Sequence, residues 1–272
     1  MKPHSILKHY VNMLIQGNAH SLVVKGTAGV GKTHTVLEAL KEAGYEEEVH
    51  YIYITGFITP LQLFNTLSKC STLESPKLFV FDDLEGIIGN KTCVALLKSA
   101  LWEARGKRIV SYQSSTNKLD NDGSIDFDGK VLLILNSLKE ESVFGKSLLD
   151  RGIFYEMRLS GAELTSYVED ILPLVGSGLA DDIKAEVWRQ VKRFASNQSF
   201  SLRSLTRAFE FYKYNKDDWF TLFLNTLKLS SDQKVFYQIQ ENDKLSDTEK
   251  AKVYKELTGR SERTYHRQKK IL

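Results

Sequence analysis

Cysteine and proline are scarce in this chain of 272 residues, which has two cysteines, Cys70 and Cys93, and four prolines. The two cysteines lack metal-ligand spacing and read as buried thiols in a reducing compartment. Apolar residues make up 42% and charged residues 26%, which together with the few prolines excludes long disordered or low-complexity tracts. No uncharged apolar run approaches the ~18 residues a membrane helix requires. The N-terminus lacks the apolar core and small-residue cleavage site of a secretory leader, so a globular, cytoplasmic protein with no membrane role is expected. Charge of one sign is also missing over most of the chain. Net charge is +3, yet residues 244–272 alone hold nine Lys or Arg against four Asp or Glu, so the rest is slightly acidic and the basic character is local.

Short apolar runs at residues 22–24, 50–54, 78–81, 108–112 and 131–135 alternate with helical patterns at about 32–43, 59–68 and 92–105. This alternation predicts an α/β fold, a parallel sheet covered by helices on both faces. In the third helix Val94, Leu97, Leu101 and Trp102 share one stripe, and Ile6, Tyr10, Val11 and Leu14 mark another helix ahead of the first strand. Residues 116–129, with Asp120-Asn121-Asp122-Gly123 as a turn signal, read as an exposed loop or hairpin inserted before the last strand. From about 160 onward the pattern is helical only, at about 162–171, 180–194, 202–214 and 219–229. Three segments are therefore expected, 1–160, 161–229 and 230–272, with no internal repeat.

The chemistry is concentrated at the strand ends. Gly26-Thr27-Ala28-Gly29-Val30-Gly31-Lys32-Thr33, followed by His34, fits the phosphate-binding pattern G-x-x-x-x-G-K-[ST] and lies between an apolar run and a helix-forming segment. Its glycines let successive backbone N–H groups turn toward a β-phosphate, aided by the positive end of the following helix. Lys32 would reach the β- and γ-phosphates and Thr33 would ligate Mg²⁺, so ATP with Mg²⁺ is the expected ligand. A second apolar run, Leu78-Phe79-Val80-Phe81, delivers Asp82 and Asp83 to its C-terminal end, where ligands bind in open α/β sheets. Asp82 would hold Mg²⁺, directly or through water, and Asp83 would orient or deprotonate the attacking water.

With both motifs in place the chain resembles the AAA+ ATPases over approximately residues 15–229. The resemblance implies an α/β nucleotide-binding domain over 1–160 and an α-helical lid over 161–229. Family members usually carry Asp-Glu at the second strand end, and the Asp-Asp here is commoner among helicase loaders and transposition ATPases. Asp is one methylene shorter than Glu, so Glu85 is an alternative base. Asn136, at the end of Val131-Leu132-Leu133-Ile134-Leu135, looks like the sensor residue that contacts the γ-phosphate or the lytic water. Ser147-Leu148-Leu149-Asp150-Arg151-Gly152 resembles the arginine-finger segment. Arg151 would act on a nucleotide held by a neighbouring subunit, with Arg158 as the competitor. The helix around Arg203 is similar to the second sensor helix of AAA+ lids, with Arg207 as the alternative.

The basic tail has its own outline. Ser246-Asp247-Thr248-Glu249 reads as a capping box, Thr258-Gly259 as a break, and Ser261 as the cap of a second helix. This is a helix-turn-helix-like module over 230–272. Arg260, Arg263, Thr264, His266, Arg267, Lys269 and Lys270 are candidate DNA contacts, with Tyr265 and Ile271 packing inward. A helix docked on a neighbouring subunit is the other reading. The sequence thus points to a homo-oligomeric ATPase, ring or spiral, that acts as a nucleotide-controlled switch on DNA, of the replication-initiation, helicase-loading or transposition type. An ATPase acting on a protein client, or an ATP-gated scaffold with little turnover, are the alternatives.

Overall fold

The computed structural model describes residues 1–71, 77–83, 85–103, 106–113, 123–136, 151–196, 200–242 and 244–269. The chain divides into two compact units, Met1–Arg158 and Leu159–Leu272.

In the first unit a helix, α1 (Pro3–Ile15), precedes strand β1 (Ser21–Lys25), helix α2 (Lys32–Glu42), β2 (Tyr51–Thr55), α3 (Pro60–Ser68) and β3 (Leu78–Asp82). A short helix α4 (Glu85–Gly89), then α5 (Lys91–Leu101), lead to β4 (Ile109–Ser111), β5 (Ser124–Asp126), β6 (Lys130–Leu135) and β7 (Ile153–Glu156). Five strands form one sheet in the order β2-β3-β6-β1-β7, and every pairing in it is parallel. The strands next to β1 are β6 and β7, both far from it in sequence, whereas the consecutive strands β2 and β3 lie side by side.

Side chains alternate between the two faces of a strand. On one face Val23, Phe79, Phe81, Val131, Leu133 and Leu135 pack with Leu63, Phe64, Leu67, Val94 and Leu97 from α3 and α5. On the other, Leu22, Val24, Val80, Leu132 and Ile134 are equally buried. Burial on both faces explains why these strands read as unbroken apolar runs. Thr59 caps α3 by accepting from Gln62 N, and Asn90 caps α5 by accepting from Thr92 N and Cys93 N.

Four expectations need correction. Residues 108–112 do not join the parallel sheet. β4 pairs antiparallel with β5 in a separate two-stranded ribbon, because only Val110 of its three residues is buried and a strand exposed on one face has no place inside a doubly covered sheet. Just before the last apolar run, Ser124–Asp126 form the second strand of that ribbon, while residues 116–122 lie outside the described residues, and the fifth sheet strand is β7, which was not anticipated. It is an edge strand whose residues are all half-buried, and its apolar run is only Ile153-Phe154-Tyr155. Trp102 leaves the α5 stripe, since the helix ends at Leu101 and the next residue is extended and 52% exposed.

In the second unit, α6 (Gly161–Ile171), α7 (Asp181–Val191), α8 (Leu202–Tyr214) and α9 (Trp219–Thr226) enclose a core that includes Trp188, Phe194, Phe200, Phe209 and Phe223. Capping boxes start α6 at Ser160 and Glu163, and α8 at Ser201 and Ser204. The fourth correction is α10 (Ser231–Gln240), a helix not foreseen in the basic tail, which precedes α11 (Asp247–Thr258) and α12 (Glu262–Lys269). Phe236 and Ile239 of α10 meet Ala251 and Tyr254 of α11 and Tyr265 of α12. Each fully buried aromatic ring of this kind contributes roughly 2–3 kcal/mol.

Between these two helical groups lies the guanidinium of Arg193, 5.4 Å from the ring centre of Phe194, 5.1 Å from Phe220 and 5.2 Å from Tyr237. It is also ion-paired with Glu241.

Candidate nucleotide site and basic helix

The C-terminal ends of β1, β6 and β3 lie side by side, and each delivers one element of the site. After β1 the loop bends at Gly29 (φ 75°) and Gly31 (φ 94°), left-handed angles that favour glycine. Gly31 is the N-cap of α2, so Lys32 and Thr33 open that helix. Gly26 donates its N–H to the Leu135 carbonyl at 3.2 Å, extending the β1–β6 ladder into the loop. A Cβ on Gly26 would lie 2.5 Å from the Met157 carbonyl oxygen, so no other residue fits there without moving backbone. From below, buried His4 of α1 contacts the Val30 carbonyl through Nε2 at 2.9 Å.

The Lys32 ammonium is buried and donates to the carbonyls of Gly26 (2.7 Å) and Thr27 (3.0 Å) and to Asn136 Oδ1 (2.9 Å). Asn136 follows β6, the strand between β1 and β3, and its Nδ2 donates to Asp83. Asp83 itself adopts a left-handed backbone (φ 54°), one of the few non-glycine residues that tolerate it. Its N–H extends the sheet to the Ile134 carbonyl at 3.3 Å.

Asp82 is buried and accepts two hydroxyl donors on the same oxygen, Oδ2: Thr33 Oγ1 at 2.7 Å and Tyr53 Oη at 2.6 Å. Burial, and then the bond to Asp82, push the Tyr53 phenol well above its ordinary value, so it remains a donor.

Lys32, Thr33, Asp82, Asp83 and Asn136 are therefore brought together in two hydrogen-bonded chains at neighbouring strand ends, Lys32–Asn136–Asp83 and Thr33–Asp82–Tyr53. Among the described residues no cluster of three or more His, Cys, Asp or Glu side chains gathers. A hydroxyl beside a single buried carboxylate, with room left to phosphate and water oxygens, is the donor set that suits Mg²⁺. Left-handed glycines at the loop and a lysine at the helix start likewise suit a phosphate chain. His34 is exposed on α2, while Thr27, Ala28, Gly29 and Val30 complete the loop. Tyr53 is the site residue that sequence reasoning missed.

Arg151 is not brought to this cluster. It sits just ahead of β7, where its carbonyl accepts from Ser21 Oγ (3.2 Å) and its Nη1 donates to the Lys98 carbonyl (3.3 Å). Ser21 begins β1 and the phosphate loop follows its other end, so Arg151 occupies the opposite edge of the sheet from Lys32. Arg158 is exposed and paired with Glu156, whose carboxyl the Arg158 bond, with Lys25, holds below its usual value. Arg203 and Arg207 are both exposed on α8 in the second unit. Residues 147–150, Lys270, Ile271 and the side chain of Glu85 lie outside the described residues.

In the basic tail, Ser246 and Glu249 form the expected capping box and Gly259 ends α11 in a left-handed conformation (φ 69°). Ser261 accepts from the Thr264 N–H, and Tyr265 is fully buried. The basic residues of the tail's last segment divide into two groups. Lys269 is 2.6 Å from Asp247 and His266 3.8 Å, while Arg260 is 2.7 Å from Asp232. Arg263 and Arg267 are exposed, make no ion pair among the described residues, and line a cleft of about 440 Å³ with Ser261, Thr264 and His266.

No protein-family model matches the chain. It is 25% identical over 236 residues to an uncharacterized 36.7 kDa protein encoded in the nrdC-mobD intergenic region of Enterobacteria phage T4, covering 80% of this chain and 71% of that one. The crystal structure of Cdc6p from Pyrobaculum aerophilum is similar with a TM-score of 0.53, at 11% identity, over 98% of this chain and 86% of that one. No helix among the described residues is long and apolar enough to cross a membrane. The parallel sheet with its phosphate loop, followed by a helical unit, is the fold that this chain shares with Cdc6p.

Proposed function

We propose that the chain is an oligomeric ATPase that uses ATP binding and hydrolysis to switch its action on DNA. The observation that carries this reading is the convergence of Lys32, Thr33, Asp82, Asp83 and Asn136 at three adjacent strand ends. The functional division is a nucleotide domain over 1–160, a lid over 161–229 and a basic DNA module over 230–272.

The backbone N–H groups of the loop and the Lys32 ammonium bind the phosphates, Lys32 exchanging its carbonyl acceptors for phosphate oxygens. Thr33 and Asp82 would hold Mg²⁺, which would supply neutralisation of the phosphate charge. Asp83 accepts a hydrogen bond from the attacking water and orients it, and Asn136 fixes Asp83 while remaining within reach of Lys32. Arg151, remote from its own loop, serves a nucleotide on the neighbouring subunit, and Arg203 of α8 answers to the γ-phosphate. Similarity to a phage-encoded protein supports a role in the biology of a virus or mobile element.

The DNA half of the reading rests on the three-helix tail, in which α12 presents Arg263 and Arg267 to solvent. Phosphate contacts release counterions, so such binding weakens with salt. The test is steady-state ATP hydrolysis with and without double- and single-stranded DNA at two salt concentrations. Stimulation that fades with salt and with deletion of residues 244–272 supports the reading. Hydrolysis indifferent to DNA redirects it to a protein client, and absence of turnover leaves a nucleotide-gated scaffold.

A further inference from the structure

Tyr53 is placed on β2, a strand that carries none of the motif residues. Parallel pairing of β2 with β3 sets Tyr53 beside Val80 and Thr55 beside Asp82. From that position its phenol reaches along the strand to the carboxylate and donates to Oδ2 at 2.6 Å, shorter than the 2.7 Å bond from Thr33 to the same atom. Two hydroxyls converging on one oxygen fix the rotation of the Asp82 carboxylate about its Cβ–Cγ bond. They also leave Oδ1 as the atom for a cation or its water.

We propose that Tyr53 is a positioning residue that holds the Asp82 carboxylate in the orientation required for the divalent cation accompanying the bound nucleotide. The inference rests on the nucleotide-site reading above. Thr33 cannot do this alone, because a hydroxyl that ligates the cation through oxygen keeps only its single proton for Asp82, and its direction then follows the metal. The Tyr53 phenol is anchored instead by a sheet strand and is independent of what occupies the loop. Partners of metal-binding carboxylates in other sites act in this way, and their removal weakens metal affinity or activity about 10–100-fold.

The test is equilibrium titration of the full chain with fluorescent mant-ADP, once in EDTA and once across a Mg²⁺ series, alongside thermal melting. Wild-type protein is expected to bind the nucleotide in EDTA and more tightly with Mg²⁺. Tyr53→Phe is expected to bind equally in EDTA but to need about tenfold more Mg²⁺ for the same gain. Tyr51→Phe removes a phenol from the same strand without touching Asp82 and is expected to match wild type, which separates cation positioning from a general loosening of β2. A Tyr53→Phe protein that melts like wild type and responds to Mg²⁺ at the wild-type concentration overturns the proposal while leaving the nucleotide reading intact. Equal losses with and without Mg²⁺ also overturn it, since they mark a structural role. Wild-type protein that binds the nucleotide in neither condition overturns both.

Discussion

The side-chain amide of Asn136 donates to the carboxylate of Asp83, and through its other end the same amide accepts from Lys32 at 2.9 Å. One neutral residue thus spans the Lys32 ammonium and the Asp83 carboxylate. Replacing it by alanine removes the donor to Asp83 and one acceptor of Lys32, which keeps its bonds to the Gly26 and Thr27 carbonyls. Asn136→Ala is expected to slow ATP hydrolysis about a hundredfold, the scale seen when one preorganised donor is lost, with nucleotide affinity preserved. Asp83→Asn is expected to do the same. Hydrolysis and nucleotide-titration curves measured side by side check both, and a variant that hydrolyses at the wild-type rate removes that residue from the mechanism.

Lys32→Ala strikes binding instead. Each charge-assisted hydrogen bond to phosphate is worth about 2 kcal/mol, so affinity for ATP is expected to fall about thirtyfold or more. Isothermal titration provides the measurement, and undiminished affinity would place the phosphates elsewhere.

Gly26→Ala tests the close approach of loop and strand. The added Cβ would lie 2.5 Å from the Met157 carbonyl oxygen, and because this is backbone the strain is relieved only by shifting the loop or the segment after β7. A loss of about 1–3 kcal/mol in stability is expected, visible as a lower melting temperature together with weakened nucleotide binding.

The tail offers a matched pair of tyrosines. The Tyr265 hydroxyl donates to Asp247 at 3.1 Å and accepts from Gln240 at 2.6 Å, whereas the buried Tyr254 hydroxyl has no partner among the described residues. Tyr265→Phe is expected to cost about 1–2 kcal/mol, and Tyr254→Phe to cost less or nothing. Burial, and then the bond to Asp247, raise the Tyr265 phenol from 10.0 to about 12. Its neutral form is favoured by folding, so this contribution is complete below pH 10.0 and lost as pH rises through about 12. Alkaline unfolding curves of wild type and Tyr265→Phe should therefore converge across that interval.

For DNA binding, Arg263→Ala and Arg267→Ala are each expected to lower the slope of log K against log salt by about one. Asp247→Asn frees Lys269 and His266 from their shared acid and is expected to leave binding as strong or strengthen it. If Asp247→Asn weakens binding more than the arginine variants, the DNA face of α12 is not the one bearing Arg263 and Arg267.

The phosphate loop was legible in the sequence because its chemistry lies in consecutive residues and its glycines are demanded by backbone angles. Asp82, Asp83 and Asn136 were legible because each ends a continuous apolar run, which a doubly covered sheet imposes. Tyr53 was not, since its meaning comes from the register of β2 against β3 and from nothing within β2. Strand β7 was missed because its apolar run is only three residues, Ile153-Phe154-Tyr155, at a half-buried sheet edge. The tail's cations read alike in sequence. Only folding brings Lys269 and His266 to Asp247 and Arg260 to Asp232, acids that lie one or two helices earlier.

Arg193 also carries a mechanical consequence. Its guanidinium is wedged between rings that belong to α9, α10 and its own segment, and it is clamped by Glu241 at the end of α10. Residue 230, where the composition suggests a joint, is thus bridged by side-chain contacts to Phe220 on one side and to Tyr237 and Glu241 on the other. Removing the Arg193 guanidinium would leave the helices that carry the α12 arginines without this tie to α9.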